Sequence, residues 1–185
     1  KRQILMREIM KTELLFSEKQ IQLAVKLVGS QITKDYFNQP LVIISIADGG
    51  LMFAMDLIRN IKTPLEYYTC ICKSYGAENQ AGKLQIKYFP QCDLNNKHVI
   101  IVDDIKDTGN TLSALKSTII NNYDTLSVEY CVLIENINKK NDIIPKYVAL
   151  RSEGQWVIGY GLDNQFFDRN LPYIVYRTDI GDNNE

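Results

Sequence analysis

The run Val99-Ile100-Ile101-Val102-Asp103-Asp104-Ile105-Lys106-Asp107-Thr108-Gly109-Asn110-Thr111-Leu112 concentrates side chains that could do chemistry. A short apolar stretch, of the kind buried as a strand, delivers two carboxylates, Asp103 and Asp104, to its carboxyl end. Carboxylates there can accept hydrogen bonds from sugar hydroxyls. The next loop is short and carries Thr108, Gly109 and Thr111. Gly109 lets the backbone turn tightly and approach a ligand closely. The helix expected after it begins with backbone N–H groups that lack intrahelical acceptors and with the positive end of its dipole, both suited to a phosphate. The threonine hydroxyls add donors. One segment therefore holds a diol-binding half and a phosphate-binding half, the combination that a 5-phosphoribose requires.

Several apolar residues, two acids and then Asp-Thr-Gly-x-Thr make a long pattern, and this one resembles the phosphoribosyl-pyrophosphate motif of the type I phosphoribosyltransferases. Other stretches resemble the hypoxanthine-guanine branch of that family. Ser45-Ile46-Ala47-Asp48-Gly49-Gly50, with Phe53, Asp56 and Leu57, is similar to its pyrophosphate loop and following helix. Lys73-Ser74-Tyr75-Gly76, with Gly82 beyond, is similar to its flexible lid. Trp156-Val157-Ile158-Gly159-Tyr160-Gly161-Leu162-Asp163 is similar to its base-stacking and metal-binding strand, and Arg169-Asn170-Leu171-Pro172-Tyr173 continues the likeness. The resemblance runs from Ser17 to Ile174 in the family's order.

What the resemblance implies is specific. The fold would be α/β, a parallel sheet flanked by helices with a small hood formed by the terminal segments, in a single domain over residues 1–185. The activity would be transfer of 5-phosphoribosyl from phosphoribosyl pyrophosphate to a purine base, with Mg²⁺ as cofactor, giving a nucleoside monophosphate and pyrophosphate. By position, Asp107 is the general base near N7 of the purine. Asp103 and Asp104 bind ribose hydroxyls, directly or through Mg²⁺, and Thr108, Gly109, Asn110 and Thr111 hold the 5′-phosphate. Asp48, Gly49 and Arg169 meet pyrophosphate. Trp156 stacks on the base, Val157 offers its backbone to the base edge, and Asp163 helps to bind a second Mg²⁺. Ser74 and Tyr75 close over the site and exclude water. A homodimer or homotetramer in the cytoplasm is the family-level expectation.

Two positions depart from the family pattern. Its pyrophosphate loop reads Leu-Lys-Gly, with a cis peptide before the Lys, whereas this chain has Ala47-Asp48-Gly49. A carboxylate there adds repulsion toward an anionic ligand unless Mg²⁺ or Arg169 offsets it. At the end of the fourth strand candidate the family places a Lys that donates to the purine O6, and the matching residue here is Glu135. Ionised Glu only accepts hydrogen bonds, so a 6-amino group would suit it better than a 6-oxo group. A register one residue off, or Lys139 or Lys140 reaching in, would change that. The two departures also define the alternative, a phosphoribosyl-pyrophosphate- or nucleotide-binding regulatory paralogue with little or no turnover.

The elements that must position these residues are legible in outline. Ser17-Glu18-Lys19-Gln20 reads as a capping box, and Ile21, Ala24, Val25, Val28 and Ile32 follow helical spacing behind it. Leu41 to Ile46 is a nearly all-apolar strand, followed by a helix-like stretch from Leu51 to Arg59. Leu65 to Lys73, His98 to Asp103 and Ser127 to Ile134 read as further strands, Tyr147 to Leu150 and Trp156 to Ile158 as weaker ones, and Thr111 to Asn121 as a helix. Apolar strands alternating with helices imply a parallel sheet covered on both faces, with ligands at the carboxyl ends of its strands. Gly76 to Gly82 is polar and expected to move, and Gly181 to Glu185 is expected to fray.

Composition narrows the function classes. The chain has 185 residues, 45% hydrophobic and 23% charged, in the ordinary globular range. A formal net charge of -1 gives no global attraction to nucleic acid or anionic membrane. The apolar runs are too short to span a bilayer. Cys70, Cys72, Cys92 and Cys131 have no zinc-ribbon spacing, and the chain holds one His, so reduced thiols of a cytosolic protein are expected.

Overall fold

Ser17 opens the first helix as expected. Its hydroxyl accepts from the backbone N–H of Gln20, while the Gln20 side chain accepts from the Ser17 backbone N–H at 2.9 Å, so two orphan donors are satisfied reciprocally. The computed structural model describes residues 11–75, 83–139 and 142–178, with backbone alone at 73–75, 83 and 84. The expectations for Gly76 to Gly82 and for Gly181 to Glu185 concern segments outside the described residues.

In chain order the elements are β1 (Thr12–Phe16), α1 (Glu18–Asp35), β2 (Leu41–Ala47), α2 (Gly50–Asn60), β3 (Leu65–Tyr75), β4 (Lys83–Tyr88), β5 (His98–Lys106), α3 (Asn110–Asn122), β6 (Ser127–Asn136), β7 (Tyr147–Ser152), β8 (Val157–Ile158) and β9 (Ile174–Arg177). The main sheet has the order β4-β3-β2-β5-β6-β7. Its strands run parallel except β4, which pairs antiparallel with β3 at the edge. A second sheet, β1-β9-β8, is antiparallel and joins the two ends of the chain, the small hood that was expected.

The central strands are apolar on both faces because both faces are covered. Ile43, Ile100, Val102 and Leu133 pack with Ile21, Val25, Val28 and Ile32 of α1 and Phe53 and Leu57 of α2. The alternate residues Val42, Ile44, Val99, Ile101 and Val132 pack with Leu112, Leu115 and Ile119 of α3. This is the period-two alternation of a strand buried twice.

Strands β1, β4 and β9 were not legible in the sequence as strands. Each is short or at an edge, and β1 and β9 exist by pairing with each other from opposite ends of the chain, Thr12 with Arg177 through Phe16 with Ile174. Nothing local to either segment announces the other.

Strand order matters for function. The chain passes from β2 through α2 to β3 on one side, and later enters β5 on the other side of β2. Successive connections thus leave β2 and β5 in opposite directions, which opens a crevice at their carboxyl ends, the switch point where sheets of this kind take ligands.

Candidate active site

A cavity of about 300 Å³ occupies that crevice. From the end of β2 it is lined by Ile46, Ala47 and Gly49, from β3 by Cys72, and from β5 and its loop by Asp103, Asp104, Ile105 and Asp107. Thr108, Gly109, Asn110, Thr111 and Leu112 complete it at the start of α3. The contiguous motif of the sequence is therefore one wall of one cavity. Gly109 takes φ 77°, the left-handed conformation that glycine adopts without penalty, and its carbonyl accepts the first α3 bond, from Ser113 N–H at 2.9 Å. The first-turn N–H groups of α3 are thereby aimed at the cavity, where an anion would meet them.

Asp103 and Asp104 form the acidic floor. Their own backbone restrains them: Asp104 N–H donates to Asp103 Oδ1 at 3.0 Å, and Ile105 N–H donates to Asp104 Oδ1 at 2.7 Å. Burial pushes the Asp103 carboxyl well above the usual carboxylate range, and the neighbouring Asp104 charge pushes it further. Burial also raises Asp104, against the pull of its backbone donor Ile105 and of the Arg169 guanidinium. Two oxygen-rich side chains that resist ionisation side by side are suited to a hard divalent cation or to ligand hydroxyls. Among the described residues no cluster of three or more His, Cys, Asp or Glu converges on a metal.

Of the residues expected to meet pyrophosphate, Gly49 lines the cavity, while Asp48 and Arg169 lie outside its lining. The Ala47–Asp48 peptide is cis, at the position expected from the family pattern, and Asp48 is exposed. Gly49 approaches Asp104 so closely that a Cβ at this position would fall 1.7 Å from Asp104 Oδ2. Arg169 donates to the carbonyl of Gly161 and pairs with Asp163 at 3.0 Å, and Asp163 also accepts from Phe166 N–H at 2.8 Å. Asp163 is thus engaged by Arg169, whose charge also acts on Asp104.

The remaining expected residues lie around the cavity, not in its lining. β3 continues to Ser74 and Tyr75, past Ile71, whose partner Ala47 is the last in β2, and there it pairs with β4 alone. Val157 is buried at the start of β8, and Trp156 beside it is 57% exposed, an indole available to a flat ligand.

Glu135 differs most from expectation. It lies in register between Lys106 on β5 and Arg151 on β7. Its carboxylate is 3.6 Å from Lys106 Nζ and 3.2 Å from Arg151 Nε, from which it accepts a hydrogen bond. Lys106 is almost wholly buried, and a buried ammonium needs such a partner. Sequence reading passed over Lys106, although a cation at the end of a strand, with an acid at the end of a later strand, was a signal. It also left Cys72 and Ile105 out of the lining. Asp107, the expected base, is paired with Lys139, whose Nζ lies 2.6 Å from Oδ1 and 2.8 Å from Oδ2.

Comparison with known proteins agrees with this geometry. The family model of the phosphoribosyl transferase domain matches residues 12–165. The hypoxanthine-guanine phosphoribosyltransferase of Staphylococcus aureus (strain Mu50) is 38% identical over 164 residues, 88% of this chain and 91% of that protein. The crystal structure of a hypoxanthine phosphoribosyltransferase from Staphylococcus aureus matches with a TM-score of 0.85 at 36% identity, covering 96% of each chain. A hypoxanthine-guanine phosphoribosyltransferase from Bacillus anthracis, with a HEPES molecule in its active site, matches with a TM-score of 0.84 at 33% identity, covering 90% of this chain and 98% of that one. With the motif, the switch-point cavity and these likenesses in agreement, the chain belongs to the phosphoribosyl transferase domain family.

Proposed function

We propose that this protein is an active purine phosphoribosyltransferase, which transfers the 5-phosphoribosyl group of phosphoribosyl pyrophosphate to a purine base and releases pyrophosphate. The observation that carries the reading is the single cavity in which Asp103, Asp104, Asp107 and the residues 108–111 meet the pyrophosphate loop. Thr108 to Thr111 and the start of α3 hold the 5′-phosphate, and the two acids face the ribose hydroxyls. Mg²⁺, held by Asp103 and Asp104 together with donor oxygens, would supply positive charge against the leaving pyrophosphate. Arg169 and the loop at Gly49 meet that pyrophosphate, and Trp156 stacks on the base. As the base nitrogen bonds to C1′, the C1′–O bond to pyrophosphate breaks, and Asp107 takes the proton from the purine N7. Asp163 would help to hold a second Mg²⁺, in exchange for its pairing with Arg169, and Ser74 and Tyr75 close over the site.

The base class is the finer point. A shift toward a 6-aminopurine required Glu135 to face the base as a free acceptor. Its bonds to Lys106 and Arg151 engage that acceptor, which supports a 6-oxopurine instead. Four unbridged thiols, Cys70, Cys72, Cys92 and Cys131, support a reducing, cytoplasmic setting. Self-association into a homodimer or homotetramer belongs to the same reading, and sedimentation measures it.

The test is pyrophosphate release with adenine, hypoxanthine, guanine and xanthine. Release is expected with at least one 6-oxopurine. Asp107→Asn is expected to lower turnover by about 10²- to 10⁴-fold, much more than it weakens donor binding. Tight binding of phosphoribosyl pyrophosphate without release for any base would favour the regulatory paralogue, to which the exposed carboxylate of Asp48 lends some support.

A further inference from the structure

The turn between β8 and β9 is packed against the loop between β2 and α2. Gly161, at φ 97°, approaches so closely that a Cβ on it would fall 2.5 Å from the carbonyl oxygen of Gly49. Gly49 in turn abuts Asp104, and Gly50 lies against the backbone of Asp103, so the loop is held between the hood and the acidic floor. One residue before Gly161, the Tyr160 hydroxyl donates to Asp56 Oδ2 on α2 at 2.7 Å. Asp56 Oδ1 accepts from Arg59 Nη1 at 3.1 Å. Tyr160 is buried at φ 51°, a left-handed conformation that a bulky residue adopts only where its surroundings hold it there. Its backbone N–H donates to Leu171 O at 2.8 Å, and that of Gly161 to Arg169 O at 2.9 Å, so the turn is one braced unit.

We infer that Tyr160 and Asp56 are positioning residues: their hydrogen bond holds the Gly161 backbone on Gly49 and so sets the loop between β2 and α2 against Asp104. The inference rests on the reading above, in which that loop meets pyrophosphate at Gly49. Neither residue lines the active-site cavity, and both line a separate groove of about 410 Å³ beside α2, so an effect on ligands must pass through the loop. The tyrosine ring alone would fill its apolar surroundings, whereas the hydroxyl fixes the distance between the turn and α2. The helix α2 starts from the loop, with Leu51 N–H donating to Asp48 O at 3.3 Å. A turn tied to α2 is therefore tied to the root of the loop. Burial, and then the bond to Asp56, push the Tyr160 hydroxyl up, so it remains a donor across the neutral range. Without the bond, Tyr160 can relax from its left-handed conformation, and Gly161 is free to lift from Gly49.

The experiment is equilibrium binding, by calorimetry, of phosphoribosyl pyrophosphate with Mg²⁺ and of inosine 5′-monophosphate. Both ligands carry the 5-phosphoribosyl group, and only the first carries pyrophosphate. Tyr160→Phe keeps the ring, and the Asp56 side chain, 42% exposed, stays hydrated when the bond is gone. The variant is expected to lose about 3- to 10-fold in affinity for phosphoribosyl pyrophosphate, the size of one hydrogen bond, and to bind the nucleotide within about twofold of the wild type. Asp56→Ala is expected to show the same pattern, and Asp56→Asn, which keeps a carbonyl acceptor, to recover most of the loss. Melting temperatures in the same buffer report folding. If Tyr160→Phe melts too low for binding to be measured, the two Asp56 variants read the same difference. Equal losses for both ligands, as a merely structural role would give, or an unchanged donor affinity in a folded variant, would overturn the inference alone. Binding of neither ligand by the wild type would overturn the proposed function with it.

Discussion

Asp103 and Asp104 lie side by side at the end of a buried strand, where both carboxyls are held above the usual carboxylate range. The cause is burial first, and for Asp103 the charge of its neighbour second. The sign of the linkage follows. A carboxyl with a raised folded-state pKa favours folding while it is protonated, below the unfolded value. That contribution is lost as pH rises through the folded-state pKa, because ionisation then costs more in the fold than in the open chain. Asp103→Asn cannot ionise. Without metal it is expected to melt higher than wild type at neutral pH, with the difference closing as the solution is made acid, while binding of phosphoribosyl pyrophosphate with Mg²⁺ weakens. Melting curves across this pH range check it, and a variant that melts lower than wild type at neutral pH contradicts the account. In the proposed function the acids trade stability for ligand binding, as residues at functional sites commonly do.

At the scale of elements, the loop between β2 and α2 is the tightest contact of the site. Gly49 abuts the Asp104 carboxylate, and a methyl group there would fall 1.7 Å from Oδ2. The obstacle is the end of a side chain, so the fold can yield by turning Asp104 away. Gly49→Ala is therefore expected to cost about 1–3 kcal/mol of stability, in the range of overpacking, and to weaken Mg²⁺-dependent donor binding by displacing Asp104. Denaturation measures the first effect and calorimetry the second. Unchanged donor binding would mean that the Asp104 position is not set by this loop. The helix α1, the central strands and the α3 turn were legible because each carries its own signal: a capping box, an apolar run, a glycine before a helix. Strands β1, β4 and β9 were not, because β1 and β4 are edge strands and β9 is a four-residue strand whose partners lie elsewhere in the chain, and such strands are defined by their partners more than by their composition.

At the scale of the molecule, the cavity exists because β2 and β5 are neighbours whose connections leave in opposite directions. Ligand binding at such a seam ties the loops after both strands together, and a ligand that prefers the folded state raises the melting curve. Phosphoribosyl pyrophosphate with Mg²⁺ is expected to stabilise the wild type, by about 2.7 kcal/mol at a hundredfold excess over Kd. The double variant Asp104→Ala, Thr108→Ala is expected to abolish the shift. No shift for the wild type at millimolar ligand would remove the donor from the proposed function. No helix among the described residues is long and apolar enough to cross a membrane.

What the sequence determined by itself was the chemistry carried by contiguous residues. Asp103 through Thr111 is a strand end, a loop and a helix start, and the relative placement of such neighbours follows from local backbone geometry. For that reason the residues that line one wall of the cavity could be read as one unit before any fold was known. The identity of the residue at position 135 was equally plain, but its meaning was not. Only the tertiary structure decided that Glu135 lies between Lys106 and Arg151, that Lys139 sits on Asp107, and that Gly49 touches Asp104. Each of these contacts joins residues from different strands or from loops far apart in the chain. Their meeting depends on strand order and register, which long-range packing of the two core layers sets, and no single segment encodes it.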